Sequence, residues 1–176
     1  MSLADRVRHP AFLERVMSAE EAAKLIPAGA NVGMSGFTGA GHPKAVPQAL
    51  AAHAKAEHAA GKPYKINLWT GASTAPELDG ALAAANALGQ RLPFNTDPIC
   101  RNKINTGEID FIDMHLSHVA QHAWFGFLGP LHVAVIEVLG VTADGLLIPA
   151  AAVGNNKTWL EIADKVILEV NTKPSA

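Results

Sequence analysis

The stretch GFTGAGHPK, residues 36–44, sets Gly36, Gly39 and Gly41 within six positions, with His42, Pro43 and Lys44 directly behind them. Glycines at this density let a bound group approach the backbone closely. A phosphate, a nucleotide or an acyl group could use such a loop, and so could a tight turn that holds nothing. A second small-residue run, GASTAP (71–76), follows another strand-like segment. Two further features could carry chemistry. HLSHVAQH (115–122) holds three histidines, of which His118 and His122 share a helix face at a spacing of four. Glu137 interrupts the apolar run LHVAVIEVLGV. Burial would raise the pKa of such a carboxyl and fit it for base or nucleophile chemistry, although a paired or edge carboxylate is the commoner arrangement.

The usual nucleotide signatures are absent. Gly36 and Gly41 have P-loop spacing, but His42-Pro43 stand where Lys and Ser/Thr belong. The dinucleotide pattern GxGxxG fails at its third glycine, where Lys44 stands, and no acidic residue ends the following strand to hold a ribose. On glycines alone, a tight turn with positive φ angles is the simpler account. The histidines lack an HExxH arrangement and an obvious further zinc ligand, so no metal is expected. A polar cluster with Ser117 capping the next helix is expected instead.

The elements that must position these residues follow from periodicity and punctuation. Residues 10–26 read as short helical pieces, and Ser18-Ala-Glu20-Glu21 fits a capping box. Strand-like runs are Asn31–Ser35, Tyr64–Thr70, Ile109–Met114, Leu131–Leu139 and Lys165–Val170. Helices are expected from Pro43 and Pro47 to about Ala60, over 77–88, over 100–106, over Ser117–Phe125 and over Asn155–Ala163. Thr142-Ala-Asp144-Gly145 is a hairpin-type turn into Leu146–Ile148. Strands alternating with helices predict an α/β fold with a mainly parallel sheet flanked by helices. In such a sheet the loops 36–43 and 71–76 lie at the carboxyl ends of strands, each ahead of a helix whose terminal amides can hold an anion.

Bulk properties exclude several classes. At 176 residues, 49% apolar and 17% charged, the chain can bury a real core and disorder is not expected. A net charge of −2 with scattered Lys and Arg gives no nucleic-acid footprint. The single cysteine, Cys100, permits neither an intrachain disulfide nor a cysteine zinc site. No apolar run reaches the roughly 18 residues of a membrane span, and the first 21 residues lack the apolar core of a signal peptide. A cytoplasmic protein without membrane partners is expected.

Taken in order, GFTGAGHPKAVP, LWTGAS, LPFNTDP, RNKINTGEIDFIDMHLSHVAQ, GPLHVAVIEV and DGLLIPAAAVGNNKTWLEIADKVILEVN resemble the N-terminal half of the acetyl-CoA hydrolase/transferase family, which includes succinyl-CoA:acetate CoA-transferases. The resemblance runs from about Arg8 to Asn171. It implies a class I CoA-transferase fold of two related α/β domains with the active site between them. It also implies nucleophilic catalysis by a glutamate, through an acyl-glutamyl anhydride and then a glutamyl-CoA thioester that an acceptor carboxylate attacks, with backbone amides stabilising oxyanions.

The resemblance places that glutamate, and most of the coenzyme A pocket, in a C-terminal half. No catalytic residue is therefore expected in this chain, which alone should be inactive. The expected organisation is a helical arm over 1–26 and an α/β domain over 27–176. Residues Gly36 to Lys44 would line the acyl-CoA cleft, with Gly39 and Gly41 offering amides and His42 and Pro43 in the same loop. Ser73 and Thr96 would hold the small carboxylate. His115 and Ser117 rank behind them, and Asn155, Asn156 and Lys157 would either line the cleft or cap a helix, capping being favoured. The substrates implied are coenzyme A as its acyl thioester and a small carboxylate. The partners implied are a C-terminal domain or subunit and, because the docking face should be apolar, further copies of the chain in a homo-oligomer. An acetyl-CoA hydrolase, with water as acceptor, and a non-catalytic CoA-binding or association domain are the alternatives.

Overall fold

A computed structural model describes residues 3–173, apart from the side chain of Ser73. The arm consists of three short helices, α1 (Leu3–Arg6), α2 (Pro10–Leu13) and α3 (Ala19–Ala23). The capping box forms as expected. Ser18 Oγ accepts the Glu21 N–H at 3.1 Å, and the Glu21 carboxylate accepts the Ser18 N–H at 2.8 Å. The arm is packed rather than free. Val7 is buried and bridges to Val141, and the Arg6 guanidinium donates to the carbonyls of Leu139 and Thr172.

After the arm come β1 (Asn31–Met34), β2 (Phe37–Thr38), α4 (Ala45–Ala59), β3 (Ile66–Trp69) and β4 (Ala72–Ser73). A single π-helical turn, Pro76–Gly80, leads into α5 (Ala81–Ala84) and β5 (Leu88–Leu92). Next are α6 (Pro98–Asn105), β6 (Asp110–Phe111) and α7 (Leu116–Trp124). The described chain closes with β7 (Val133–Val141), β8 (Leu147–Pro149), α8 (Asn156–Ile162) and β9 (Lys165–Val170).

Seven strands form one sheet in the order β6-β5-β3-β1-β7, with β8 and β9 both pairing with β7. Every pairing is parallel except that of β7 with β8. The mainly parallel α/β architecture is thus as expected. One expectation fails: the helix over 77–88 stops at Ala84, and Leu88–Leu92 is a strand between β3 and β6. LGQRL has neither alternation nor β-branched residues, so its state is decided by its neighbours. Leu88 and Leu92 are fully buried between those strands.

Strand alternation divides the core into two layers. Val32, Met34, Ile66, Leu68, Val133 and Val135 face the alanine-rich α4 and its neighbours α3 and α5. Trp69, Ala134, Ile136 and Val138 face the opposite layer, with Val119 of α7 and Trp159 of α8. Glu137 shares the parity of Val133 and Val135, so its side chain is directed to the α4 side. Among the described residues no helix is long and apolar enough to cross a membrane.

Candidate functional site

The carboxyl ends of β1, β3, β5 and β6 lie on one edge of the sheet, because these strands are parallel. The strand order reverses at β1, with β3 on one side and β7 on the other. A reversal of this kind opens a crevice beyond the strand ends, and the glycine loop leaves β1 there. Phe37 and Ala40 close a tight turn through mutual backbone bonds of 2.8 and 3.0 Å. Phe37 and Thr38 also pair in parallel with Ala72 and Ser73, so the two small-residue loops form one small ribbon.

The three glycines divide by role. A Cβ at Gly36 would collide with the Ala40 carbonyl, and Gly41, at φ +69°, lies against the backbone of Ala152. Both are required by packing. Gly39 has open space where a side chain would stand, and no described backbone group accepts its amide hydrogen. Phe37, at the tip, is 60% exposed.

The two ends of the loop are fastened separately. At its start, Ser35 Oγ accepts the Asn155 N–H at 2.8 Å, and Asn155 Nδ2 donates to the Thr70 carbonyl at 3.2 Å. Asn155 therefore ties the ends of β1 and β3 together. Its side chain does not cap α8, contrary to expectation, because the nearer partner is the strand-end carbonyl. Lys157 lies out in solvent, paired with Glu161. At the far end His42 is fully buried, with Nε2 3.1 Å from Glu77 Oε1. Lys44 Nζ donates to Glu137 Oε2 at 2.6 Å and to the His42 carbonyl at 2.7 Å, while Asn171 Nδ2 donates to Glu137 Oε1 at 2.6 Å. Burial pushes the Glu77 carboxyl up, but its own backbone amide and the His42 ring outweigh this and hold it below the usual 4.5.

The N-termini of α4, α6 and α7 are already occupied by side chains of the protein itself. Glu169 lies in register with Glu137 on the adjacent strand, and its carboxylate accepts the N–H groups of Lys44, Ala45 and Val46 at 2.6, 3.1 and 2.9 Å. Those are the first amides of α4, which the sequence left for a ligand. At α6, Asp97 takes the amides of Ile99 and Cys100. At α7, His115 Nδ1 accepts the Ser117 N–H, so His115 rather than Ser117 is the cap.

Thr96 lies beside Thr74, with its N–H 3.3 Å and its hydroxyl 3.4 Å from Thr74 Oγ1. The Ser73 side chain lies outside the described part of the structure. His115 and Ser117 hydrogen-bond to each other at the end of β6. β6 itself lies three strand spacings from β1, roughly 14 Å. The structure thus gathers Gly36 to Lys44, Thr96 and Asn155 at one crevice and leaves His115 and Ser117 apart. Among the described residues no group of three His, Cys, Asp or Glu could hold a metal. Sequence reasoning missed Thr74, Glu77, Glu169 and Asn171. Glu169 could have been flagged, since it alternates with the buried Ile167 in KVILEV and must point inward.

This site can present one exposed amide, at Gly39, and two hydroxyls, at Thr74 and Thr96, to a carbonyl or carboxylate oxygen. Each glutamate bonded to the loop (Glu77, Glu137 and Glu169) is already engaged by a loop residue.

A family model described as the acetyl-CoA hydrolase/transferase N-terminal domain matches residues 1–175. The chain is 41% identical over 166 residues to the succinyl-CoA:acetate CoA-transferase of Clostridium kluyveri, covering 94% of this chain and 30% of that one. It is 46% identical over 155 residues to the propanoyl-CoA:succinate CoA transferase of Escherichia coli, covering 88% and 32%. To the acetyl-CoA hydrolase of Yarrowia lipolytica it is 37% identical over 180 residues, covering 97% and 34%. The chain spans about a third of the length of these relatives.

Solved structures with a similar fold include RipA from Yersinia pestis, at a TM-score of 0.66 and 18% identity over 88% of this chain and 36% of that one. Another is the glutaconate coenzyme A-transferase of Acidaminococcus fermentans, at 0.64 and 11% over 87% and 68%. At these identities the likeness is one of fold. The ordered loops at the carboxyl edge, the parallel sheet and the match along the whole chain lead to one conclusion: the chain belongs to the acetyl-CoA hydrolase/transferase family, of which it carries the N-terminal domain.

Proposed function

We propose that this chain is the substrate-loop half of an acyl-CoA:carboxylate CoA-transferase. The nucleophilic glutamate would come from a C-terminal domain or subunit that closes over the carboxyl edge of the sheet. The observation that carries this reading is the state of the loop's own glutamates. Glu77, Glu137 and Glu169 are held by His42, by Lys44 and Asn171, and by the α4 amides, which leaves none beside the exposed Gly39 amide to attack a thioester.

In this reading the incoming glutamate attacks the acyl-CoA carbonyl, and the Gly39 amide donates to the oxyanion that forms. Collapse expels coenzyme A thiolate and leaves an acyl-glutamyl anhydride. The thiolate then attacks the glutamyl carbonyl, releases the first carboxylate and forms the glutamyl-CoA thioester. The acceptor carboxylate completes the cycle by the reverse steps. Thr74 and Thr96 hydroxyls, with Ser73, would orient the small carboxylate at the rim. The exposed Phe37 and Phe94 at the same edge suit a covering domain. Residues 1–26 would serve as an arm on the α/β domain over 27–176, and the assembled protein as a homo-oligomer.

The relatives named acetyl-CoA hydrolase favour a second reading, in which water replaces the acceptor carboxylate. One experiment tests both. The purified chain is incubated with succinyl-CoA and acetate, alone and with the C-terminal two thirds of a longer relative such as the succinyl-CoA:acetate CoA-transferase of Clostridium kluyveri. Acetyl-CoA formation and free thiol release are followed together. The expected result is no turnover alone and acetyl-CoA after complementation. Thiol release without acetyl-CoA would select the hydrolase. Turnover by the chain alone would overturn the external glutamate. A complex with neither activity would leave a binding domain only.

A further inference from the structure

The reaction above makes no use of Glu137, the carboxylate buried in the central strand β7 at 3% exposure. We propose that Glu137 is the positioning residue of the glycine loop, acting through Lys44, and that it couples this loop to the segment after β9. The substrate-facing role of the loop rests on the reading given above; the positioning role does not.

The chain of contacts is continuous. Asn171 is fixed to the sheet by its N–H on the Val138 carbonyl at 2.8 Å, and its Oδ1 accepts the Lys173 N–H at 3.0 Å. Its side-chain amide donates to one oxygen of Glu137, and the other oxygen accepts Lys44 Nζ. The same ammonium holds the His42 carbonyl, and the His42 ring meets Glu77. Residues from β7 and from the π turn thus meet Lys44 and His42 at the end of the loop, and the stretch after β9 reaches them through Glu137.

Direction matters here. The Lys44 side chain is 37% exposed, so water could take its ammonium if Glu137 let go. The Glu137 carboxylate has no such outlet, and a buried carboxylate without donors is costly. The buried partner therefore dictates where the exposed one sits. Both of its oxygens are satisfied only when Asn171 and Lys44 are in place together. It follows that the Lys44 charge, held by Glu137, orients the loop. Glu169, in register beside Glu137, fixes the start of α4 independently, so the loop is clamped from two adjacent strands.

The test is amide hydrogen exchange on this chain with Glu137→Gln, Lys44→Met and Lys44→Arg. Loss of a charge-assisted bond should speed exchange of the hydrogen-bonded loop amides, Phe37 and Ala40, roughly tenfold in the Gln and Met variants, while Ala45 and Val46, held by Glu169, should not move. Exchange in β3 and in the first half of β7 should not move. Lys44→Arg should restore protection, and the Glu137→Gln/Lys44→Met double variant should be no looser than either single one. Unchanged loop exchange, or an equal rise throughout the sheet, would overturn the positioning role. If Glu137→Gln does not fold, the two partly exposed Lys44 variants decide the matter. A loosened loop together with unaltered acyl-CoA binding by the chain complemented with the C-terminal part of a relative would overturn the substrate reading and leave the positioning role standing.

Discussion

Glu169→Ala removes the cap of the longest helix from 123 to 125 residues away in sequence, and its cost can be worked from the contacts. Three amides lose a charged acceptor at 2.6, 3.1 and 2.9 Å. Replacing a cap side chain with Ala costs about 0.5–2 kcal/mol, and a partly buried charge at a helix terminus adds up to about 2 kcal/mol. Ala45 is exposed, so water recovers part of its bond, whereas Val46 is in the core and its amide is not exposed in the same way. The expected loss is about 2–3 kcal/mol for Glu169→Ala. Glu169→Gln keeps one acceptor oxygen and should lose about 1 kcal/mol.

Urea unfolding followed by circular dichroism reads these values. With a slope of about 2 kcal/mol per molar, the Ala midpoint should fall by about 1 M at unchanged slope. Glu161→Ala, which breaks an exposed pair with Lys157, is the control and should stay within about 0.5 kcal/mol. An Ala variant indistinguishable from this control, or a Gln variant as damaged as Ala, would refute the reasoning that the carboxylate caps α4.

Two further outcomes are expected. Asp79→Asn should destabilise by about 3–5 kcal/mol, because it removes the carboxylate charge 2.6 Å from Nε of the fully buried Arg91. An apolar double replacement, Asp79→Leu with Arg91→Met, should cost less than the single change in the same urea assay. Glu77 makes its folded-state contribution in full above its ordinary value of 4.5, and that contribution is lost as pH falls through the lowered folded value. Urea midpoints measured from about pH 6 to about pH 3 should therefore fall less steeply in Glu77→Gln than in the parent chain; parallel curves would contradict the His42–Glu77 pairing.

Much of the frame is legible in the chain itself. KVILEV forms β9 at the expected bounds, Lys165–Val170, and Leu131–Leu139 carries the central strand, because β-branched runs bounded by turn residues leave few other choices. SAEE forms its capping box because both partners lie within one helical turn. Leu88–Leu92 was not legible: its burial, not its composition, makes it a strand. The ordered loop segments also sufficed to identify the family.

The site divides the same way. Local sequence determined that a glycine turn would follow β1 and that a helix would begin at its end, since φ requirements and proline positions act over a few residues. It could not determine what occupies the amides at that helix start, because Glu169 reaches them only when β9 lies beside β7. Nor could it determine which groups Glu137 meets. That was decided by parity within β7, which turns the carboxylate toward Lys44, and by the chain's return after β9, which brings Asn171 to its second oxygen. Interactions within one turn are written in the order of residues, whereas pairings across strands distant in sequence exist only once the sheet has formed.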